Sequence, residues 1–159
     1  MAAGVILDQS PTMNIEVFPS LTDAAVVLAA CGLPSDDIEP RFLEHFLVAR
    51  SERGPVGLAG LQLLGDKALL RSVAVIALHR SNGLGGRLVR AAEQHARDAG
   101  VKEMFLLTND AQRFFGRHGY AELSRCSAPA EVQATAQFGS PCCGAATLMR
   151  KQLPEDRSL

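Results

Sequence analysis

Residues 69–100 read Leu69-Leu-Arg-Ser-Val-Ala-Val75-Ile-Ala-Leu-His-Arg80-Ser-Asn-Gly83-Leu-Gly85-Gly86-Arg-Leu88-Val-Arg-Ala-Ala92-Glu-Gln-His95-Ala96-Arg-Asp-Ala99-Gly100. The first seven are the residues of a strand. Leu84, Leu88, Ala92, His95, Ala96 and Ala99 then recur at helical spacing until Gly100 stops the run. Between strand and helix lies a glycine turn, Arg80-Ser81-Asn82-Gly83-Leu84-Gly85-Gly86. Such a turn is an anion cradle. Glycines let successive N–H groups converge on a ligand, and the helix N-terminus adds unpaired donors and a partial positive charge. Pyrophosphate suits it, and Arg80 supplies a full charge. Rival glycine motifs fit badly. A Walker A loop needs Lys and then Ser or Thr after its last glycine, where this chain has Arg87-Leu88. A dinucleotide fingerprint needs Gly or Ala at position 88 inside a parallel β-α-β unit.

Working outward, the alternation in Asn14–Phe18 predicts a strand, and Ser20-Leu-Thr-Asp23 predicts a capping box opening a helix that ends at Gly32. Pro34–Glu44 reads as a second helix broken by Pro40. Phe46–Arg50, Val56–Leu64 and Ala68–Val75 read as an antiparallel meander with turns at Gly54 and Gly65-Asp66. Beyond the long helix, Glu103–Thr108 is a short apolar strand. Asn109 or Asp110 can cap a helix carrying Ala111, Phe114, Phe115 and His118, which Gly119 stops. Tyr120–Cys126 reads as a strand, Pro129–Phe138 as a helix and Ala145–Lys151 as a final strand. The order β-α-α-β-β-β-α-β-α-β-β predicts an α/β (α+β) fold, a mixed sheet covered by helices.

The 159 residues suit one domain, with 1–12 and 154–159 loose and Met13 an alternative start. A formal charge of −1 gives no basic field for nucleic acid. The longest apolar run, Ala24–Cys31, is far short of a membrane span. No basic segment precedes Gly4–Leu7, so no secretory leader is expected. The four cysteines, Cys31, Cys126, Cys142 and Cys143, form no C-x-x-C pair, and the four histidines show no metal spacing. Reduced thiols and a cytoplasmic setting follow, with no metal site.

Two signatures together resemble the GNAT superfamily of N-acetyltransferases. Arg80-x-x-Gly83-x-Gly85 matches its R/Q-x-x-G-x-G/A pattern between a strand and the long helix. Ala111, Phe114, Phe115, Gly119 and Tyr120 match A-x-x-hydrophobic-aromatic-x-x-x-G-aromatic, with Asn109 just ahead. The resemblance implies a mostly antiparallel sheet with a splayed parallel pair, strands 69–75 and 103–108, admitting acetyl-CoA as co-substrate. It implies that the edge at Val73–Val75 holds the pantetheine arm, that amides of Ser81, Asn82, Gly83, Leu84, Gly85 and Gly86 hold the pyrophosphate, and that Asn109 and Phe115 flank the thioester end. A homodimer is also implied. Within the superfamily, Ala68–Val75, Phe114–Tyr120 and Phe138–Lys151 are similar to acetyltransferases of bacterial arsenic-resistance operons, which suggests a small-molecule amine acceptor in a resistance setting. That last stretch includes Cys142, and with Cys126 and Cys143 it raises a thiol site for a soft metalloid against plain buried cysteine.

The usual proton handlers of that superfamily are missing. Phe115 stands where many members carry Tyr, and Leu69 where some carry Glu. Glu44, Asp36 and Asp37 are candidate bases against a reading as surface carboxylates, and Tyr120 reads as core. No catalytic residue is therefore named. In this fold the face shared by Leu69, Arg71 and Val73 looks into the acceptor cleft. Arg71 is the candidate clamp for an anionic acceptor, against a role as an ion-pair partner within the sheet. The competing functions are transfer to a protein amine and a non-catalytic acyl-CoA-binding or metalloid-sensing module.

Overall fold

The computed structural model describes residues 14–17, 19–33, 38, 40–80, 83–139 and 146–154, apart from the side chains of Phe42 and Gln137. Its strands are β1 (Asn14–Val17), β2 (Phe46–Ser51), β3 (Gly54–Leu64), β4 (Lys67–Val75), β5 (Glu103–Thr108), β6 (Ala121–Leu123) and β7 (Thr147–Gln152). The helices are α1 (Leu21–Ala30), α2 (Leu84–Asp98), α3 (Gln112–Arg117), α4 (Ala130–Gln133) and α5 (Ala136–Gly139). The strands form one seven-stranded sheet in the order β1-β2-β3-β4-β5-β7-β6. Pairing is antiparallel for β1 with β2, β2 with β3, β5 with β7 and β6 with β7; β4 and β5 pair in parallel. This is the expected mixed, mostly antiparallel sheet with one parallel pair.

The chain resolves into two compact units, one of residues up to Gly60 with Ser72–Ala92, the other of Leu61–Arg71 with Glu93 onward. In the first, the predicted capping box opens α1. Ser20 Oγ accepts from the Asp23 N–H at 3.0 Å, and Asp23 accepts from the Ser20 N–H at 3.4 Å. Arg50 Nη2 also bonds Asp23 at 2.8 Å, and that bond holds the Asp23 carboxyl below its ordinary range. Ala24, Val27 and Leu28 of α1 pack with Phe46, Val48, Leu58 and Ala74. The register pairs Phe46 with Gly60, where an added Cβ would lie 2.4 Å from the Phe46 ring. Gly57 points to the opposite face, and there an added Cβ would meet Leu88 Cδ1 of α2 at 2.8 Å. Bare backbone at Gly57 thus lets α2 seat its fully buried Leu88 directly on β3.

In the second unit the parallel register runs from Lys67↔Glu103 to Leu70↔Leu106. Its core joins Leu69, Phe105, Ala128, Val132 and Leu148. Arg125 ties Phe138 O and Ala146 O, each at 3.1 Å, and lies 4.3 Å over the Phe138 ring.

Four expectations are corrected. Pro40–His45 is a 3₁₀ helix rather than the end of a longer helix broken at Pro40, and it begins at the proline, which cannot donate to a preceding turn; residues 34–37 and 39 lie outside the described residues. The strand expected over Tyr120–Cys126 ends at Leu123, because Ser124 Oγ accepts the Cys126 N–H at 3.3 Å and starts a 3₁₀ turn, Arg125–Ser127. Cys126 is therefore exposed on a turn. The helix expected over Pro129–Phe138 is two, since Thr135 Oγ1 donates to Val132 O at 2.7 Å and accepts from the Phe138 N–H at 3.2 Å, closing α4 and opening α5. Neither Asn109 nor Asp110 is the N-cap of α3; that residue is Ala111, and Thr108 Oγ1 accepts the Ala111 N–H at 3.0 Å.

One backbone feature was not foreseen. Ser72 sits inside β4 at φ +57, the left-handed region. It falls where the two units divide within β4, and it interrupts the period-2 alternation that placed Arg71 and Val73 on one face. Replacing Ser72 with valine should cost about 1–2 kcal/mol relative to asparagine, despite valine's strand preference, because a β-branched residue strains at this φ. Denaturant unfolding of the two variants measures it; equal stabilities would mean that the left-handed residue is absent in solution.

Candidate functional site

The glycine turn is assembled from its local hydrogen bonds. At the end of β4 the Ile76 N–H donates to Val56 O of β3 at 2.9 Å. A short 3₁₀ turn, Ala77–His79, then carries the chain to Arg80, whose N–H donates to Ala77 O at 3.2 Å. Gly83 adopts φ +81, with nothing within 4 Å of where a Cβ would stand. The Arg87 N–H reaches Gly83 O at 3.1 Å, so Gly83 is the flanking residue whose carbonyl takes the first bond of α2. Helix geometry leaves the amides of Leu84, Gly85 and Gly86 without a partner one turn back; they are three of the six residues, Ser81 to Gly86, whose amides the family resemblance assigns to the pyrophosphate. Ser81 and Asn82 lie outside the described residues.

Arg80 is placed differently from a simple phosphate ligand. Its Nε donates to Val75 O at 2.7 Å and its Nη2 lies 3.7 Å from Cys31 Sγ. Cys31, the residue capping the C-terminus of α1, in turn donates its thiol to Val75 O at 3.5 Å. Val73 and Val75 are half-buried on the strand.

The second signature folds in the other unit. Asn109 is exposed and Phe115 is buried. The Phe115 ring meets those of Phe114 and Tyr120 edge-on, at 4.9 and 5.8 Å. Tyr120 is core, as expected, and its hydroxyl donates to Glu93 Oε2 at 2.9 Å. Lys151 Nζ contacts both Glu93 oxygens, at 2.9 and 3.1 Å, and also His118 O at 2.8 Å. Burial first, and then the Glu93 charge, push the Tyr120 phenol far above its ordinary value, so it remains a donor bound to Glu93. The sequence reading missed this network. The available signal was an acid at position 93 inside the apolar face of α2, beside Val89, Ala92 and Ala96.

Leu69 is fully buried in the core. Arg71 is 6% exposed and already engaged in an interaction within the protein. Glu44 is exposed, while Asp36, Asp37, Cys142 and Cys143 lie outside the described residues. Among the described residues no group of three or more His, Cys, Asp or Glu could hold a metal ion. No described helix is long and apolar enough to cross a membrane.

The Glu93 carboxylate is buried and tolerable only because it is paired. Lys151→Met should therefore destabilise the protein by about 3–5 kcal/mol, while Lys151→Met combined with Glu93→Gln should recover part of that loss. Thermal and denaturant unfolding check this; a double variant no better than the single one would contradict the pairing.

Comparison with known proteins fits the geometry. Residues 43–122 match the family described as Acetyltransferase (GNAT) domain. The uncharacterized N-acetyltransferase YjcF of Bacillus subtilis is 34% identical over 82 residues, 51% of this chain and 58% of that protein. An amino-acid acetyltransferase of Mycobacterium tuberculosis is 36% identical over 78 residues, 48% of this chain and 44% of the relative. The chain thus spans less than two thirds of the length of these relatives. The N-acetylglutamate synthase of Neisseria gonorrhoeae, solved with coenzyme A and N-acetyl-glutamate, has a TM-score of 0.79 at 16% identity, covering 92% of this chain and 36% of that one. A Mycobacterium tuberculosis chain solved in complex with CoA has a TM-score of 0.71 at 22% identity, covering 91% and 100%. These structures share the fold. The family match takes in half of the chain, including the turn that opens α2 and the aromatic segment around Phe115, and this chain belongs to the GNAT acetyltransferase family.

Proposed function

We propose that this chain is an acetyl-CoA-dependent N-acetyltransferase, a single domain acting on the amine of a small anionic acceptor in the cytoplasm. The observation that supports the reading is the start of α2, where Gly83 at φ +81 precedes Leu84, Gly85 and Gly86, whose amides in the first turn can serve an anion. In this reading those amides, with Ser81 and Asn82, take the pyrophosphate beside Arg80. Val73 and Val75 offer a strand edge to the pantetheine arm, and Asn109 and Phe115 serve its thioester end.

The reaction needs no covalent enzyme intermediate. The neutral amine attacks the thioester carbonyl, a tetrahedral oxyanion forms, and the carbon–sulfur bond breaks as the nitrogen gives its proton to solvent. Backbone N–H groups of the 73–75 strand are assigned to the oxyanion. Phe115 has no proton to give, and the Tyr120 hydroxyl is held by Glu93. A thiol with a pKa of about 8.5 can leave as thiolate near neutrality without a protein acid.

Arg71 is the proposed clamp for the acceptor's acidic group. An amino-acid acetyltransferase among the relatives and an N-acetyl-glutamate complex among the structural neighbours support an amino acid-like acceptor. The resemblance to arsenic-operon enzymes supports analogues bearing an arsonate or phosphinate group, which a guanidinium can grip bidentately.

Two variants at position 83 isolate the cradle's charge. Asparagine tolerates the left-handed φ much as aspartate does, so Gly83→Asn and Gly83→Asp differ mainly in a negative charge at the pyrophosphate. Calorimetry should show Gly83→Asp binding acetyl-CoA about a hundredfold more weakly than wild type, with Gly83→Asn much less affected. Unchanged affinity in a folded Gly83→Asp protein would remove the cradle from the reading. For the acceptor, Arg71→Lys keeps the charge but loses the fork. It should raise KM for the best anionic amine while leaving acetyl-CoA affinity nearly unchanged. If Arg71→Ala remains folded and handles that amine as well as wild type does, the clamp is wrong.

A further inference from the structure

The contacts of Val75 carry an inference about how the cofactor enters, and it rests on the acetyl-CoA reading above. The Ile76 N–H and the Val75 carbonyl belong to one trans peptide unit and point in opposite directions. Since that N–H is spent on Val56 O of β3, the Val75 carbonyl projects from the other edge of β4. This is the acceptor that a pantetheine amide laid along the edge would need. It is already filled. A carbonyl has two lone pairs, and here Arg80 Nε donates at 2.7 Å and the Cys31 thiol at 3.5 Å. The guanidinium is steadied further by its second nitrogen against Cys31 Sγ at 3.7 Å. A neutral amide cannot displace a charged donor at this distance on equal terms. A pyrophosphate on the Leu84–Gly86 amides can, because it offers the guanidinium a doubly charged partner.

We propose that Arg80 is a two-position strap. In the free protein it closes the Val75 carbonyl with help from Cys31, and when a diphosphate occupies the start of α2 it moves to that diphosphate and opens the strand edge. Arg80 is exposed, so its long side chain can change position without repacking the core. The two halves of the cofactor then bind with positive coupling, nucleotide end first, and a bare thioester without a diphosphate is held poorly. Cys31 acts only through Arg80, as a positioning residue.

The test splits acetyl-CoA into S-acetylpantetheine and 3′-phospho-ADP and measures each by calorimetry, alone and in the presence of the other. For wild type, 3′-phospho-ADP should tighten S-acetylpantetheine, and the reverse effect should be equal, as linkage requires. Arg80→Met should bind S-acetylpantetheine about tenfold more tightly than wild type, 3′-phospho-ADP about tenfold more weakly, and show no coupling. Cys31→Ala should shift S-acetylpantetheine in the same direction by less. A plain phosphate ligand predicts only the nucleotide loss, and a purely structural arginine predicts both fragments weaker; either result overturns the strap. Wild type that binds acetyl-CoA with uncoupled halves refutes the strap alone, whereas wild type that does not bind acetyl-CoA refutes the acetyltransferase reading itself.

Discussion

The seating of Leu88 on the bare backbone of Gly57 is the contact on which the candidate site depends. An α-helix can approach a strand this closely only where no Cβ intervenes, and here an added Cβ would stand 2.8 Å from the leucine methyl. Leu88 lies one turn inside α2, so fixing it fixes the direction of the helix start and of the Leu84–Gly86 amides. Close packing of this kind transmits small volume changes directly, so the direction of the α2 start is set by the core.

A second constraint acts further along the same helix. Glu93 is buried, and its charge is answered by Lys151 from β7 and by the hydroxyl of Tyr120 at the end of the α3 turn. The pair adds little net stability compared with an apolar substitute, but within the second unit it joins Glu93, the aromatic segment and the last strand at defined atoms. It also removes the tyrosine from chemistry. With Phe115 where the family resemblance leads one to expect a tyrosine, the proposed reaction relies on the leaving group's own acidity and on backbone donors.

The segment from Leu69 to Gly100 was legible because its information is local. A strand period, a glycine turn and a helical period follow one another within about thirty residues, and each is enforced by its own residues. The same holds for the capping box at Ser20 and Asp23. What was not legible was set by side chains competing with backbone or by long-range pairing. Thr135 breaks one expected helix into two by bonding both neighbouring turns, and Ser124 ends a strand that apolar alternation would extend. Thr108 rather than Asn109 serves the start of α3, because a buried hydroxyl at a strand end can reach the amide three residues on. Glu93 and Lys151 are 58 positions apart, and no local pattern links them. The left-handed backbone at Ser72 had no glycine or asparagine to announce it. Around the proposed cofactor site, the start of α2 after Gly83 was readable from sequence, while the turn of Arg80 onto Val75 and Cys31 joins positions up to 49 apart and left no local sign.

The central claim is that an acetyl group bound at this cradle passes to an amine. Single-turnover mixing of the acetyl-CoA-loaded protein with a panel of amines tests it most directly, by following free CoA thiol and acetylated amine together. The account predicts that both appear in equal amounts, fastest with amines that carry a carboxylate or a similar oxyanion and slowest with polyamines. Tight binding of acetyl-CoA with no thiol release above hydrolysis for any amine would contradict it, and would leave a protein that holds the acyl-CoA without using it.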